Sequence, residues 1–184
     1  MGVSANGSRF ARGEDDRVVE PNAPAKSLSA ETTFDTDIGD LDRLSAIAWR
    51  LSEKVAARLK RAGLAGETVT LKLRTARFRT LTRRRRLAEP TQLAEIVYRT
   101  ARALLEGEAD GRLFRLLGVG VSDLAAARET EAPDLFDAGP GRIARVEQAI
   151  DAVRARFGDD AIGKGRGLAR PSPAAAGRRP GWEK

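Results

Sequence analysis

One stretch decides the fold that the sequence predicts: Thr68-Val-Thr-Leu-Lys-Leu-Arg-Thr-Ala-Arg-Phe-Arg-Thr-Leu-Thr-Arg-Arg-Arg-Arg-Leu87. Val69, Leu71 and Leu73 alternate with polar residues, which is the period of a strand with one buried face. No Gly or Pro interrupts the run, and Val, Thr, Leu and Phe, which suit strands, dominate it. The stretch is therefore predicted to form a β-hairpin.

The hairpin is also strongly basic and contains no acidic residue. Its cations are Lys72, Arg74, Arg77, Arg79, Arg83, Arg84, Arg85 and Arg86. Their summed positive charge exceeds the net formal charge of the whole chain, +7. The basicity is therefore local, and the charges of the remaining residues almost balance. A localised cationic strip attracts a phosphate backbone through Coulomb attraction and counterion release. A surface kept basic only for solubility is the alternative, but such surfaces usually mix both signs of charge.

Alternation within the hairpin places the cations on faces. Lys72 and Arg74 share the outer face of the first strand, and Arg77 and Arg79 are predicted to share one face of the second. The alternation is lost in the four consecutive arginines 83–86. Two of them must point to the opposite face or lie at a frayed strand end.

Composition excludes several classes of chemistry. The chain of 184 residues contains no cysteine and no histidine. Disulfides, zinc sites that use these ligands and Ser-His-Asp catalysis are therefore excluded. No apolar run approaches the roughly 20 residues that span a bilayer, and no signal peptide is evident. We expect a cytoplasmic protein that does not bind a membrane. Its pI near 10.5 favours a polyanionic binding partner.

Elements on either side of the hairpin complete an α+β domain. A strand is predicted over 26–35, and Asp40 is predicted to cap a helix that runs to about Ala62. A second helix is predicted from Pro90 to about Leu105, followed by a last strand over 112–124. The order β-α-β-β-α-β places two helices on one side of a four-stranded sheet and leaves the other side open.

Glycines in the last strand support an open face. Leu117, Val119 and Val121 are predicted to share the buried side, and Gly118 and Gly120 the other. Glycines on one face let a neighbouring backbone approach closely. An open, basic sheet face is a binding surface by geometry.

The segments outside this domain differ in character. Residues 1–25 are predicted to be an extended lead-in, 126–140 a linker, 141–162 an amphipathic helix and 163–184 a disordered basic tail. The domain itself is assigned to 26–125. The helix needs a cover for its apolar face, and covering the core of this domain is preferred to binding a partner.

At this point the chain resembles a known family. The runs 26–34, 69–74, 78–83 and 115–122 resemble the little-finger domain of Y-family translesion DNA polymerases, most closely the bacterial DNA polymerase IV group. The motifs occur in family order. Upstream, Ala11-Arg-Gly-Glu-Asp-Asp-Arg17 resembles the end of the thumb domain that precedes the little finger.

The resemblance implies a domain whose open sheet lies against the DNA major groove and contacts mainly backbone phosphates. The residues that it implies for DNA contact are Lys72, Arg74, Arg77, Arg79 and Arg83, with hydroxyl contacts from Ser27 and Ser29. Such contacts position a protein without reading sequence, so primer–template DNA of any sequence is the expected partner.

The family's palm domain, which binds two magnesium ions, has no counterpart here. We therefore expect no catalytic residue, no metal site and no cofactor in this chain, and no polymerase activity from it alone. A C-terminal fragment, a truncated gene product and a stand-alone little finger are all compatible with that expectation.

A short peptide leaves a second partner open. Ala132-Pro-Asp-Leu-Phe136 weakly resembles the peptide with which bacterial polymerases dock on the sliding clamp, through Asp134, Leu135 and Phe136. A plain linker is the alternative. The runner-up function is accordingly a non-catalytic adaptor for the clamp or a polymerase partner. An RNA-binding domain of the same strand order is disfavoured, because such domains stack bases on aromatic residues of the open sheet, which are scarce here.

Overall fold

The computed structural model describes residues 26–127, 140–158, 161–163 and 165–167. Its elements are β1 Ser27–Ile38, α1 Leu41–Arg61, β2 Leu64–Thr75, β3 Thr80–Thr91, α2 Ala94–Glu106, β4 Phe114–Ala126, α3 Pro140–Phe157 and a short 3-10 helix Gly165–Gly167. The order of the first six elements confirms the predicted β-α-β-β-α-β arrangement. Residues 1–25 and most of 163–184 lie outside the described residues.

The strands form one antiparallel sheet in the order β1-β4-β2-β3. Helices α1 and α2 cover one side of it, and their apolar residues meet those of the strands in a single core. Trp49 of α1 and Tyr98 of α2 pack edge to face, with ring centroids 5.2 Å apart. The helices thus occupy one side, and the opposite side carries no element of the described chain.

Helix α1 begins and ends where the sequence predicts. The Asp40 side chain accepts a hydrogen bond from the backbone N–H of Arg43 at 2.7 Å, which satisfies one free donor of the first turn. The helix ends at Arg61, and Gly63 adopts a positive φ of 63°. Glycine takes this conformation without a steric penalty, so the chain turns there directly into β2.

The predicted start of α2 is wrong by about four residues. Pro90 and Thr91 belong to β3, in which Thr91 pairs with Gly66 of β2. Proline is tolerated there because β3 is an edge strand and needs no partner on its outer side. Leu93, at the N-cap of α2, has no side-chain hydrogen bond to the first turn.

A side chain of helix α3, which is distant in sequence, caps the N-terminus of α2. The Glu147 carboxylate, whose residue is 5% exposed, accepts the backbone N–H groups of Ala94 at 3.1 Å and Glu95 at 2.9 Å. It also pairs with Lys60 of α1 at 3.0 Å. Burial lowers the pKa of Lys60, but hydrogen bonds and charge attraction from Asp151 and Glu147 outweigh this effect and raise it above its ordinary value.

The predicted α3 is present, but only part of its apolar face is covered, by residues that are half-buried: Ile143, Ile150 and Val153. Val146 is 45% exposed and Phe157 is 67% exposed. Polar contacts also hold the helix, including an ion pair of 2.8 Å between Arg154 and Glu53 of α1. The amphipathic pattern predicts the helix correctly, whereas the contact that docks it depends on charges whose partners lie far away in sequence.

Part of the tail predicted to be disordered is an ordered turn. Arg166 in the 3-10 helix forms an ion pair with Glu95 at 2.8 Å. Its guanidinium also lies 5.3 Å from the Trp49 ring and 5.6 Å from the Tyr98 ring. Cation–π attraction therefore holds this turn against the helices.

Candidate nucleic-acid interface

The strand register arranges the side of the sheet opposite the helices as four rows of four residues. The rows are Thr33, Leu116, Arg74 and Thr80; Glu31, Gly118, Lys72 and Thr82; Ser29, Gly120, Thr70 and Arg84; and Ser27, Ser122, Thr68 and Arg86. We call these sixteen positions the open-face lattice. Their alternate neighbours, such as Val69, Leu71 and Leu73, are buried under the helices. Period-two alternation in four paired strands thus separates a core side from a polar side.

Cations and hydroxyl groups dominate the open-face lattice. The cations are Lys72, Arg74, Arg84 and Arg86. The hydroxyl residues are Ser27, Ser29, Thr33, Thr68, Thr70, Thr80, Thr82 and Ser122. Glu31 is the single acidic residue among these sixteen positions. Cationic and hydroxyl side chains typically bind the phosphates and sugars of a nucleic acid and not its base edges. Bulky apolar groups are few on this face.

Glycines keep the middle of the lattice flat. A Cβ placed on Gly118 would lie 3.1 Å from the Cβ of Glu31, and one on Gly120 would lie 3.2 Å from the Cβ of Ser29. Both distances are tighter than normal packing, so a side chain at either glycine would push the β1 residues aside. The glycines thereby place Glu31 close enough to Lys72 for an ion pair of 2.9 Å. The predicted side for both glycines is confirmed.

The four lattice cations differ in how freely they can meet a ligand. Lys72 is paired with Glu31, and Arg86 is paired with Glu67 at 2.6 Å. Arg74 donates to the Thr80 hydroxyl at 3.3 Å. Arg84 is exposed and forms no ion pair within the described part of the chain. An incoming phosphate therefore meets Arg84 directly but competes with a carboxylate for Lys72 and Arg86.

The structure brings four of the seven residues named from the sequence onto this face: Lys72, Arg74, Ser27 and Ser29. The placement of Arg77 and Arg79 on a strand face was wrong. They lie in the turn between β2 and β3, where the Thr75 N–H donates to the Arg79 carbonyl at 2.9 Å. That turn continues from the Arg74–Thr80 row, so both cations lie beyond the end of the lattice.

Arg83 lies on the other side of the sheet. In the sheet it lies opposite Leu71 of β2, whose side chain is fully buried under the helices. Its guanidinium forms an ion pair with Glu108 at 2.7 Å. Arg85 pairs with Val69 and shares that side. The expectation that two of the four consecutive arginines point to the opposite face is confirmed.

Arg84 and Arg86 lie on the open face but are not among the residues predicted for DNA contact. A usable signal was present, because Thr80 and Thr82 alternate with Leu81, and continuing that period places both arginines beside the threonines. The predicted clamp-contact residues Asp134, Leu135 and Phe136 lie outside the described residues, and their role stays a prediction.

No group of three or more His, Cys, Asp or Glu side chains is arranged to hold a metal ion in the part of the chain that the structure describes. In that same part, no helix is both long and apolar enough to cross a membrane.

Fold and site together define a class: a β-α-β-β-α-β domain with a cationic, hydroxyl-rich sheet face left open. Residues 25–135 match the model of the impB/mucB/samB family C-terminal domain, and the chain belongs to that family. The resemblance drawn from its sequence motifs, to the C-terminal part of Y-family polymerases of the polymerase IV group, is thereby confirmed. Helix α3 and the turn at Arg166 lie beyond the matched residues.

Curated relatives are named DNA polymerase IV. The chain is 50% identical over 171 residues to DNA polymerase IV 1 of Mesorhizobium japonicum, covering 90% of this chain and 39% of the relative. It is 48% identical over 157 residues to DNA polymerase IV of Brucella melitensis biotype 1, covering 85% of this chain and 35% of the relative. For the Caulobacter vibrioides enzyme, identity is 43% over 160 residues, with coverage of 87% and 40%. The chain thus spans about two fifths of these relatives.

Solved structures are similar at lower identity. One is a complex of a beta-clamp processivity factor and the little finger domain of PolIV, with 23% identity and a TM-score of 0.46, covering 61% of this chain and 98% of that chain. Another is a Y-family DNA polymerase chimera, with 14% identity and a TM-score of 0.49, covering 55% of this chain and 29% of that chain.

Proposed function

We propose that this chain is the DNA-holding portion of a polymerase IV-like translesion polymerase. It grips primer–template or damaged DNA through backbone contacts while the chemistry of nucleotide transfer is supplied elsewhere. The observation that carries the proposal is the open-face lattice, which combines four cations with eight hydroxyl groups on the uncovered side of the sheet. Family membership supports it, since the curated relatives are DNA polymerases.

Phosphate contacts from the lattice would hold DNA of any sequence. Serine and threonine hydroxyls donate to phosphate oxygens, and the arginines supply charge as well as hydrogen bonds. Asn and Gln, the side chains that pair with adenine edges, are absent from these sixteen described positions. Sequence-independent grip suits an enzyme that must hold templates with damaged bases. The proposal also implies a cytoplasmic location, where a bacterial chromosome lies.

The direct test is fluorescence-anisotropy binding of primer–template DNA over a range of salt concentrations. Each phosphate neutralised contributes roughly −0.9 to the slope of log affinity against log salt. A variant with Lys72→Gln, Arg74→Gln, Arg84→Gln and Arg86→Gln is expected to lose about two to four units of that slope. An unchanged slope in this variant contradicts the proposal. Two unrelated DNA sequences measured side by side test sequence independence.

A matched control removes the same charge from the helix side. Arg99 and Arg102 lie on α2, and Arg83 and Arg85 point towards the helices. Replacing all four with glutamine lowers the net charge equally but leaves the open-face lattice intact. We expect this variant to keep most of the wild-type slope, so that a nonspecific effect of charge is separated from the geometry of the face.

Glu31 offers a test in the opposite direction. Its carboxylate occupies Lys72 and repels phosphate from the middle of the lattice. Glu31→Gln frees the ammonium group and removes one negative charge, so we expect DNA affinity to rise severalfold at low salt. Unchanged affinity in this variant would show that DNA does not approach the second row of the lattice.

A further inference from the structure

The turn between β2 and β3 presents an aromatic side chain to solvent. Phe78 is 66% exposed, and its backbone adopts a positive φ of 61°. This left-handed conformation favours glycine or asparagine, and a bulky side chain is uncommon in it. Phenylalanine here strains the backbone while burying little surface, so folding stability does not explain it. Strain of this kind is found preferentially at sites of binding.

The Phe78 ring is backed by a cation and flanked by two others. The Arg115 guanidinium lies 4.1 Å from the ring centroid and covers one side of it. Arg77 and Arg79 are its neighbours in the same turn. The turn is fixed by hydrogen bonds from the Phe78 N–H to the Thr75 carbonyl at 2.9 Å and from the Ala76 N–H to the Leu113 carbonyl at 3.0 Å. The ring is therefore held in place and not carried on a free loop.

The position of the Phe78 turn relative to the open-face lattice limits the kind of ligand that the ring can contact. The turn follows directly from the Arg74–Thr80 row at one end of the open-face lattice. A base inside a duplex is stacked on both sides and offers no free face to an exposed ring. An unpaired base does offer one, and aromatic rings interleaved with cations are the usual way in which proteins hold single strands.

We propose that Phe78 stacks on an unpaired base of a single strand that extends from the duplex held by the lattice, with Arg77 and Arg79 binding the flanking phosphates. This inference rests on the proposed function and assigns a second part of the same DNA ligand. The ligand is a junction between double-stranded and single-stranded DNA, and the recognition is independent of base identity because every base has a face that can stack.

The experiment compares a blunt DNA duplex with the same duplex carrying a short single-stranded extension at either end, both binding the full chain. We expect an extension to strengthen wild-type binding about tenfold, the scale of one stacked base. Phe78→Ala is expected to remove that gain and leave blunt-duplex affinity unchanged, and Phe78→Trp to restore it. A 2-aminopurine in the extension should be quenched by the wild type and not by Phe78→Ala.

Phe157 provides a matched control. It is 67% exposed and has the Arg156 guanidinium 5.3 Å from its ring centroid, but it lies on α3. Phe157→Ala should keep the full gain from the extension. Equal gains in the wild type and Phe78→Ala would overturn the inference, as would a wild type that binds blunt and extended DNA equally. Failure of the wild type to bind blunt duplex at all contradicts the proposed function instead.

Discussion

Substitution of Glu147 tests how α3 is held to the domain. Its carboxylate is buried and receives two backbone N–H groups of the first turn of α2 as well as the ammonium group of Lys60. Glu147→Ala removes all three interactions at once. Because the N-cap residue Leu93 cannot accept a hydrogen bond through its side chain, the first turn of α2 then depends on water for its free donors.

The structure sets the size of the effect. Loss of a helix cap costs about 1 kcal/mol. Loss of a charged hydrogen bond costs about 1.5–3 kcal/mol. Lys60 keeps Asp151 as a partner at 2.7 Å, so the lower end applies, and we expect a total loss of about 2–3 kcal/mol. Glu147→Gln retains an acceptor without the charge and should lose about half as much.

Urea unfolding followed by Trp49 fluorescence measures these losses, in a Trp182→Phe background so that one tryptophan reports. Glu106→Ala is the control, since Glu106 forms an exposed ion pair with Arg102 at 3.0 Å. Such pairs contribute less than about 0.5 kcal/mol. A Glu147→Ala protein that is no less stable than this control would refute the capping role of α3.

Three further changes test other parts of the structure. Gly66→Ala places a Cβ 2.8 Å from the Ser122 carbonyl oxygen, so thermal unfolding should show a loss of about 1–3 kcal/mol. Because the pKa of Lys60 is raised, its contribution to docking α3 should persist below pH 10.5 and fall as pH rises further, whereas Lys60→Met should show no such fall in a pH titration of stability. Phe78→Gly relieves backbone strain but loses the Arg115 contact, so its unfolding free energy should stay within about 1 kcal/mol of the wild type.

Much of the fold is predictable because its signals are local. The alternation of Val69, Leu71 and Leu73 predicts a strand with one buried face, and the structure shows it. Asp40 and Gly63 mark the two ends of α1 because capping and positive φ are properties of single residues in their immediate surroundings. Element order then determines which side of the sheet stays open.

Other features depend on contacts that no local pattern contains. Four consecutive arginines have no polar–apolar contrast of their own. The alternation of Thr80, Leu81 and Thr82 suggests a side for each, and the pairing of Arg83 with Leu71 and of Arg84 with Thr70 fixes it. Glu147 caps α2 although it lies 53 positions after Ala94, whose N–H group it accepts. Pro90 favours a helix start locally, but the pairing of Thr91 with Gly66 retains it in the strand.

The alternation in β3 also gives the most direct test of the central claim, that DNA binds the open face of the sheet. The double variants Arg84→Gln/Arg86→Gln and Arg83→Gln/Arg85→Gln remove equal charge from the same strand, on opposite sides. Salt-dependent binding of primer–template DNA is measured for both after circular dichroism confirms that each is folded. We predict that the first pair lowers the slope by up to about 1.8 and the second leaves it nearly unchanged. Equal slopes in the two variants, or a larger loss in the second, would contradict the account.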